Sequence, residues 1–415
     1  MQSAASQARG AENRLQLSSQ RRLFIAVFLP LAVIYLLTAT WQPPYDADTF
    51  TNAVTAYELG THGDVFLERH EELTGDFYRG VVGWVVPARD SAASQYPPGA
   101  ALIAAPLYAI WPADSETIAR TLRDRNVEYE LPPIPPAAIA ASLAAAAGVA
   151  ALALAMSEFL SRRNAALAAY GLGLATGVWS VAADKLWLHT GSVLYLGVAL
   201  WLASAFYLTS GLGFGLAIMT RPHNLVIGLG TAIGRFLDTR SWQVLVRMLA
   251  GMGIGLVALV AFNYFVFDNP SITGGYRLRV GSFATRDNGN LITNVFGGFF
   301  DLSRGLFPLS PFLLALIPGV PAAWRASPSW VRGAAAGGLL YYAIQLYSNR
   351  FSGGSGFWGY RYPIEMLVAM TPLLALAYFE WVAPRPRAKR IFIVLLAVSV
   401  ALHFAGALRC AQYRC

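Results

Sequence analysis

Apolar runs long enough to cross a bilayer recur along most of the chain. At 1.5 Å per residue, about 20 residues span ~30 Å of hydrocarbon. Runs of that order occupy 23–40, 136–157, 164–183, 190–208, 244–267, 305–323, 332–348, 360–382 and 391–408. A further run, 212–234, is interrupted by Thr220-Arg221-Pro222-His223-Asn224. The pattern predicts an all-α polytopic membrane helix bundle of nine full spans plus one re-entrant pair of half-helices. Pro222 supplies the turn, because its ring removes a backbone donor, and irregular backbone at membrane depth is tolerated where it lines a cavity. The Ala-rich stretch 137–155 reads as a tightly packed membrane helix. No internal repeat is visible, and no separate soluble domain.

The polar segments fix the expected topology. With the N-terminus inside, Arg21 and Arg22 satisfy the positive-inside rule and 41–135 becomes a large external loop. Within it, 99–111 lies between Pro97-Pro98 and Pro112, is too short to cross, and fits a helix in the interface. Arg162-Arg163 then fall inside. If 212–234 enters and returns, Arg235, Arg240 and Arg247, then Arg325 and Arg332, then Arg385, Arg387, Lys389 and Arg390 are all cytoplasmic; a single crossing would put all three clusters outside. The clusters favour the hairpin, with loops 41–135, 268–304 and 349–359 external. Residues 1–22 read as a cytoplasmic tail, 23–408 as one transmembrane domain and 409–415 as a short C-terminal tail. Thr38-Ala39-Thr40-Trp41 is a poor cleavage site, so the first apolar run reads as an uncleaved signal anchor.

Composition agrees: with 56% hydrophobic and only 13% charged residues, a soluble globule would expose far too much apolar surface. The net charge of +8 sits in short Arg clusters between apolar runs, where it sets topology; no nucleic-acid partner is implied. Cys410 and Cys415 are the two cysteines. They offer no disulfide framework and no Cys-based metal site, and a bridge between them requires an extracytoplasmic tail.

Candidate chemistry gathers on the external face. Asp46 and Asp48 follow Pro43-Pro44. A D-x-D pair is a metal-nucleotide signature in soluble sugar transferases, but nucleotide sugars are cytoplasmic, so the functional alternative is a carboxylate general base, against helix capping. Arg221 is an ionisable side chain at membrane depth, costly unless paired or hydrated, and otherwise a contact for carbonyls at the helix break. Arg304 and Arg361 stand at the external boundary, where guanidinium forks suit a phosphate. Arg361 has a structural alternative in Glu365 at i+4, and Arg304 has Asp301 or lipid headgroups. Asp184, Lys185 and His189 share a short external turn; the adjacent Asp-Lys pair reads as a solvated turn more readily than as a metal site. His62, His70, His223 and His403 show no ligand spacing, and neither a metal nor a cofactor is called for.

Four local segments resemble the C-type glycosyltransferase superfamily, especially its polyprenol-phosphate-dependent branch, which includes protein mannosyltransferases (family 39) and lipid A aminoarabinose transferases. They are Asp46-Ala47-Asp48-Thr49-Phe50-Thr51-Asn52-Ala53, Tyr96-Pro97-Pro98-Gly99, Ser161-Arg162-Arg163-Asn164-Ala165-Ala166, and Gly215-Leu216-Ala217-Ile218-Met219-Thr220-Arg221-Pro222. Arg304-Gly305-Leu306 with Ser310-Pro311, and Gly356-Phe357-Trp358-Gly359-Tyr360-Arg361-Tyr362, are similar to bacterial membrane proteins grouped there. Many relatives have Asp-Glu in place of Asp46-Ala47, and many carry a soluble C-terminal domain. The resemblance implies a bacterial inner-membrane enzyme that moves a sugar, with inversion, from a polyprenyl-phosphate donor to an extracytoplasmic glycan, lipid or protein acceptor. It implies Asp46 as base, with Asp48 as the alternative, and Arg221, Arg304, Arg361, Lys185, Tyr96 and His189 as the substrate- and phosphate-binding set. A transporter or lipid flippase would also use a broken helix near an intramembrane charge, but no inverted repeat is visible and the polar residues gather at one face. A structural envelope subunit is a third reading.

Overall fold

Residues 2–41, 47–70, 85–89, 91–111, 116–122, 125–276, 291–354 and 356–411 are described by the computed structural model. Five helical segments are long and apolar enough to cross a membrane: Ser18–Thr38, Pro135–Met156, Trp242–Phe267, Ile364–Val382 and Pro386–Cys410. The molecule is an all-α, multi-pass membrane bundle, as the apolar pattern predicts.

Helix α1 (Gln2–Thr38) leads to α2 (Ala47–His62). The strands β1 (Val85–Ala88) and β2 (Ser91–Ser94) pair antiparallel, and α3 (Ala101–Ile110) follows. Strands β3 (Glu116–Leu122) and β4 (Arg125–Leu131) form a second antiparallel hairpin. Helix α3 falls in the stretch 99–111, where an interfacial helix is expected. It lies against α2 so closely that a Cβ on Gly60 would stand 2.3 Å from the Ala105 carbonyl oxygen. The two hairpins have no counterpart in the sequence reading, which finds only interfacial helices in this loop.

The bundle continues through α4 (Pro135–Met156) and α5 (Arg162–Leu174), whose first turn is capped by the Ser161 hydroxyl accepting the Asn164 N–H at 3.3 Å. A π-turn over Val178–Ala182 precedes α6 (Leu188–Leu202). Then comes the broken pair, α7 (Tyr207–Thr220) and α8 (Leu225–Thr239). Between them Arg221 turns extended and Pro222 opens the next turn. Asn224 ties the break down by donating to the Ala217 carbonyl at 2.9 Å and to Ser192 Oγ at 3.0 Å. The legs have 14 and 15 residues, against 15 in the neighbouring α6.

Helix α9 (Trp242–Phe267) runs to a loop, and α10 (Leu291–Phe300) follows. The next span is assembled from short helices α11 (Leu306–Leu309), α12 (Phe312–Leu316) and α13 (Val320–Ala326). Helix α14 (Ser329–Ser348), α15 (Ile364–Ala377) with a π-turn to Val382, and α16 (Pro386–Ala411) complete the chain. Cys410, in the last turn of α16, is disulfide-bonded; Cys415 lies outside the described residues.

Small residues let the helices meet backbone to backbone. A Cβ on Gly197 of α6 would lie 2.1 Å from the Gly148 carbonyl oxygen of α4, one on Gly255 of α9 would lie 2.3 Å from Gly215 Cα of α7, and one on Gly333 of α14 would lie 2.0 Å from the Gly230 carbonyl oxygen of α8. At one end of the bundle Arg235 donates to both Glu158 oxygens at 2.9 Å and lies over the Trp330 ring. Asp238 accepts the Ser329 and Trp330 N–H groups at 2.7 and 3.0 Å, capping α14 from a neighbouring helix. These contacts gather the arginine-rich helix ends at one end of the molecule. The other end holds Asp48 and Arg361.

Candidate functional site

Asp48 stands in the first turn of α2, and two distant segments converge on it. Tyr96 donates its hydroxyl to Asp48 Oδ1 at 2.6 Å, and Arg361 pairs through Nη1 with Oδ2. Burial, reinforced by the negative charge of Asp48, raises the Tyr96 phenol well above its ordinary value, so it stays a donor. Burial works against the charge on Arg361, but Asp48 together with Tyr362 and Tyr96 more than offsets it and raises the guanidinium further. The Arg361 group lies among the rings of Trp187, Tyr362 and Phe357, at 5.0, 5.2 and 5.4 Å. Its Nε is buried without a hydrogen-bond acceptor among the described residues.

Arg221 also lies near Tyr362, 5.8 Å from the ring centre. Its Nη1 contacts His189 Nε2 at 2.8 Å and its Nη2 donates to Gln345 Oε1 at 3.1 Å. Arginine has only donors, so His189 Nε2 accepts and the ring proton sits on Nδ1. That proton points at Glu365, whose oxygens lie 2.9 and 3.0 Å from Nδ1. Glu365 is fully buried and also lies 3.8 Å from Arg221 Nε. The result is a connected chain of Glu365, His189, Arg221 and Gln345, in which Gln345 Nε2 is buried without a hydrogen-bond partner among the described residues.

Two further cations brace the loop that carries Arg361. Lys185 donates to the Gly356 carbonyl at 3.0 Å. Arg304 donates to the Phe357 carbonyl at 2.8 Å and the Gly359 carbonyl at 3.2 Å, and its guanidinium covers the Phe357 ring at 4.2 Å. Asp301 holds the turn before Arg304 by accepting from the Ser303 hydroxyl and the Ser303 and Arg304 N–H groups. Gly359 has φ near 90°, a region closed to most side chains, which turns the chain just before Arg361.

The structure thus joins Asp48, Tyr96, Arg361, Arg221 and His189 around Tyr362, and sets Lys185 and Arg304 behind the loop. Asp46 lies outside the described residues. Arg361 does not pair with Glu365, the partner that i+4 spacing suggests, because α15 begins only at Ile364; Glu365 turns to His189 instead. The Tyr96-Pro97-Pro98-Gly99 segment is seated on the broken pair: the Gly99 N–H donates to the Met219 carbonyl at 3.0 Å, and a Cβ on Gly99 would stand 2.3 Å from Thr220 Oγ1. Sequence reasoning does not single out Glu365 or Gln345 as members of the site. Their signal is present, as polar groups inside the apolar runs 360–382 and 332–348, the same cue that marks Arg221.

No family model matches the chain, and no curated protein matches it. Solved structures do. The chain is similar to ArnT from Cupriavidus metallidurans bound to undecaprenyl phosphate, at 18% identity and TM-score 0.58 over 92% of this chain and 64% of that one. The apo state of that protein matches at 16% identity and TM-score 0.50, over 91% and 62%. An oligosaccharyltransferase from Archaeoglobus fulgidus, tethered with an acceptor peptide containing the NVT sequon via a disulfide bond, matches at 13% identity and TM-score 0.52, over 94% and 55%. The chain therefore spans less than two thirds of the length of each of these structures.

Proposed function

We propose, for a chain with the fold of the C-type glycosyltransferase superfamily, that it moves a sugar from a polyprenyl-phosphate donor to an acceptor hydroxyl or amide at the Tyr362 end of the bundle. The observation that carries this reading is the pair of guanidinium groups near one phenol ring, each braced by a carboxylate, with a buried Arg361 Nε still offering a hydrogen bond.

A sugar phosphodiester already contains a good leaving group. The protein must hold the departing phosphate, take the acceptor proton and exclude water from the anomeric carbon. Arg361 and Arg221 suit the phosphate, since both present forked donors and both are pre-oriented by contacts the substrate does not have to organise. Lys185 and Arg304 hold the loop that sets Arg361, and Tyr96 holds Asp48. Both carboxylate oxygens of Asp48 are already engaged by these donors, so a proton arriving there would displace one of them. This favours Asp48 as the anchor of Arg361 and Asp46, two residues earlier, as the base. The base removes the acceptor proton, the new bond forms at the anomeric carbon opposite the phosphate, and the C–O bond to phosphate breaks with inversion. The same engagement of Asp48 argues against a divalent ion held by Asp46 and Asp48 together.

The test is transfer in detergent. Purified protein is given polyprenyl-phosphate sugars of defined head group with candidate envelope acceptors, and the glycosidic product is followed by mass spectrometry. A transferase yields product without a sealed compartment; a transporter does not. Asp46→Asn should lower turnover by roughly 10²–10⁴ while donor binding persists, and EDTA should leave turnover unchanged. Near-normal turnover in Asp46→Asn would refute the base assignment.

A further inference from the structure

At the arginine-rich end of the bundle, away from the Tyr362 cluster, an apolar slot of about 460 Å³ lies between α5, α12, α15 and α16. The residues of this segment that line it run from Arg163 in the first turn of α5 to Thr176 just past its end, about 20 Å at 1.5 Å per residue. Two of its wall hydroxyls are satisfied by backbone carbonyls four residues earlier: Thr176 donates to the Leu172 carbonyl and Thr371 to the Leu367 carbonyl. The walls are largely hydrocarbon, Asn164 and Tyr378 being the other polar side chains between the charged mouth and the inner end, and a polar occupant would find few partners to replace its hydrogen bonds to water.

The two ends of the slot differ. The inner end stops at a polar layer, where Ser310 donates to the Ala175 carbonyl at 2.8 Å and lies 2.6 Å from the Tyr360 hydroxyl and 3.1 Å from His403 Nε2. That layer separates the slot from the Tyr362 cluster. At the mouth stand Arg163 and Lys389, both exposed, and neither makes an ion pair among the described residues. Between mouth and inner end the slot opens sideways: Leu167 of α5 and Ile393 of α16 line it and remain 58% and 53% exposed, as residues facing lipid do.

We propose that this slot binds one anionic glycerophospholipid from the leaflet at the arginine-rich face, one acyl chain lying in the slot and the phosphate against Arg163 and Lys389. Length, dryness, lateral opening and charge all select the same molecule. A chain of about 20 Å fills the slot, the gap between Leu167 and Ile393 admits it from the bilayer, and two cations at headgroup level prefer an anionic head over a zwitterionic one. The inference does not depend on the transfer reaction. No residue of that site lines the slot, and the slot's occupancy is read by binding.

Gly171 permits a clean test, because it lines the slot and a Cβ there meets nothing within 4 Å. Gly171→Leu therefore fills the slot without pressing on a neighbouring helix. The full chain, purified in mild detergent and delipidated, is titrated with phosphatidylglycerol or phosphatidylcholine and followed by native mass spectrometry and thermal melting. Wild type should retain one phosphatidylglycerol at least tenfold more tightly than phosphatidylcholine and melt higher with it. Arg163→Ala/Lys389→Ala should bind the two lipids alike, and Gly171→Leu should retain neither while melting as a folded protein. Inorganic phosphate alone should not raise the melting temperature. Equal retention of both lipids by wild type, or unchanged retention in Gly171→Leu, would overturn the proposal, and stabilisation by inorganic phosphate would reassign the mouth to a soluble anion.

Discussion

Arg361 and Asp48 are 313 positions apart, and their pairing is the residue-scale fact on which the site depends. An anchored guanidinium reaches a phosphate already oriented. Removing it should cost roughly 1.5–3 kcal/mol for a charge-assisted contact, or about 10- to 150-fold in kcat/KM. If Asp48 acts through Arg361, Asp48→Asn and Arg361→Gln should be strongly non-additive. A double-mutant cycle on kcat/KM should return a coupling of about 1–3 kcal/mol, whereas strict additivity would show that the two act separately. Sequence reading finds both residues and gives Arg361 the wrong alternative partner. Helical spacing offers Glu365, and only the short turn at 361–363 frees Arg361 to face α2. Partner choice of this kind depends on how loops close over one another, which a linear pattern does not encode.

Among the helices, close approach through glycine decides what can change. Gly148 of α4 admits α6: a Cβ there would meet the Val193 carbonyl oxygen at 2.3 Å, so Gly148→Leu must force two buried helices apart. Its melting temperature and its yield of folded protein in detergent should both fall sharply. Gly253 of α9 meets nothing within 4 Å, and Gly253→Ala should be neutral or stabilising by up to about 1 kcal/mol through the helix propensity of alanine. Equal losses at both positions would refute the packing account. Proline makes the helix break at 221–224 and the interfacial helix after Pro97-Pro98 legible in the sequence. The strands β1 and β2 are short and carry little alternation, whereas β4 does alternate through Val127, Tyr129 and Leu131, a signal overlooked beside the much stronger helical ones. The span built from α11, α12 and α13 reads as one run at 305–323 and is subdivided by Pro311 and Pro318.

For the molecule as a whole, the two ends have opposite character. Ionic and capping contacts around Arg235, Glu158 and Asp238 collect the basic helix ends, and the candidate chemistry lies at the far end. The positive-inside rule leads us to expect the basic end in the cytoplasm. With Cys410 and Cys415 replaced by Ser, a single cysteine at Ala326 or Ser241 should resist a membrane-impermeant maleimide in intact cells, and one at Ser303 should react. Strong labelling at Ala326 and Ser241 would invert the topology. Composition alone points to a membrane bundle, and the charge clusters favour a broken segment that begins and ends on one side.

The disulfide at Cys410 bears on the same question through redox chemistry. Helix α16 starts among the basic residues and carries Cys410 to the opposite end, so the bond lies on the side of the Tyr362 cluster. Thiols kept in a reducing cytoplasm do not hold such a bond, and a structural disulfide persists only where the surrounding potential is oxidising. The last turn of α16 is therefore expected to report the compartment into which the site opens, independently of any arginine.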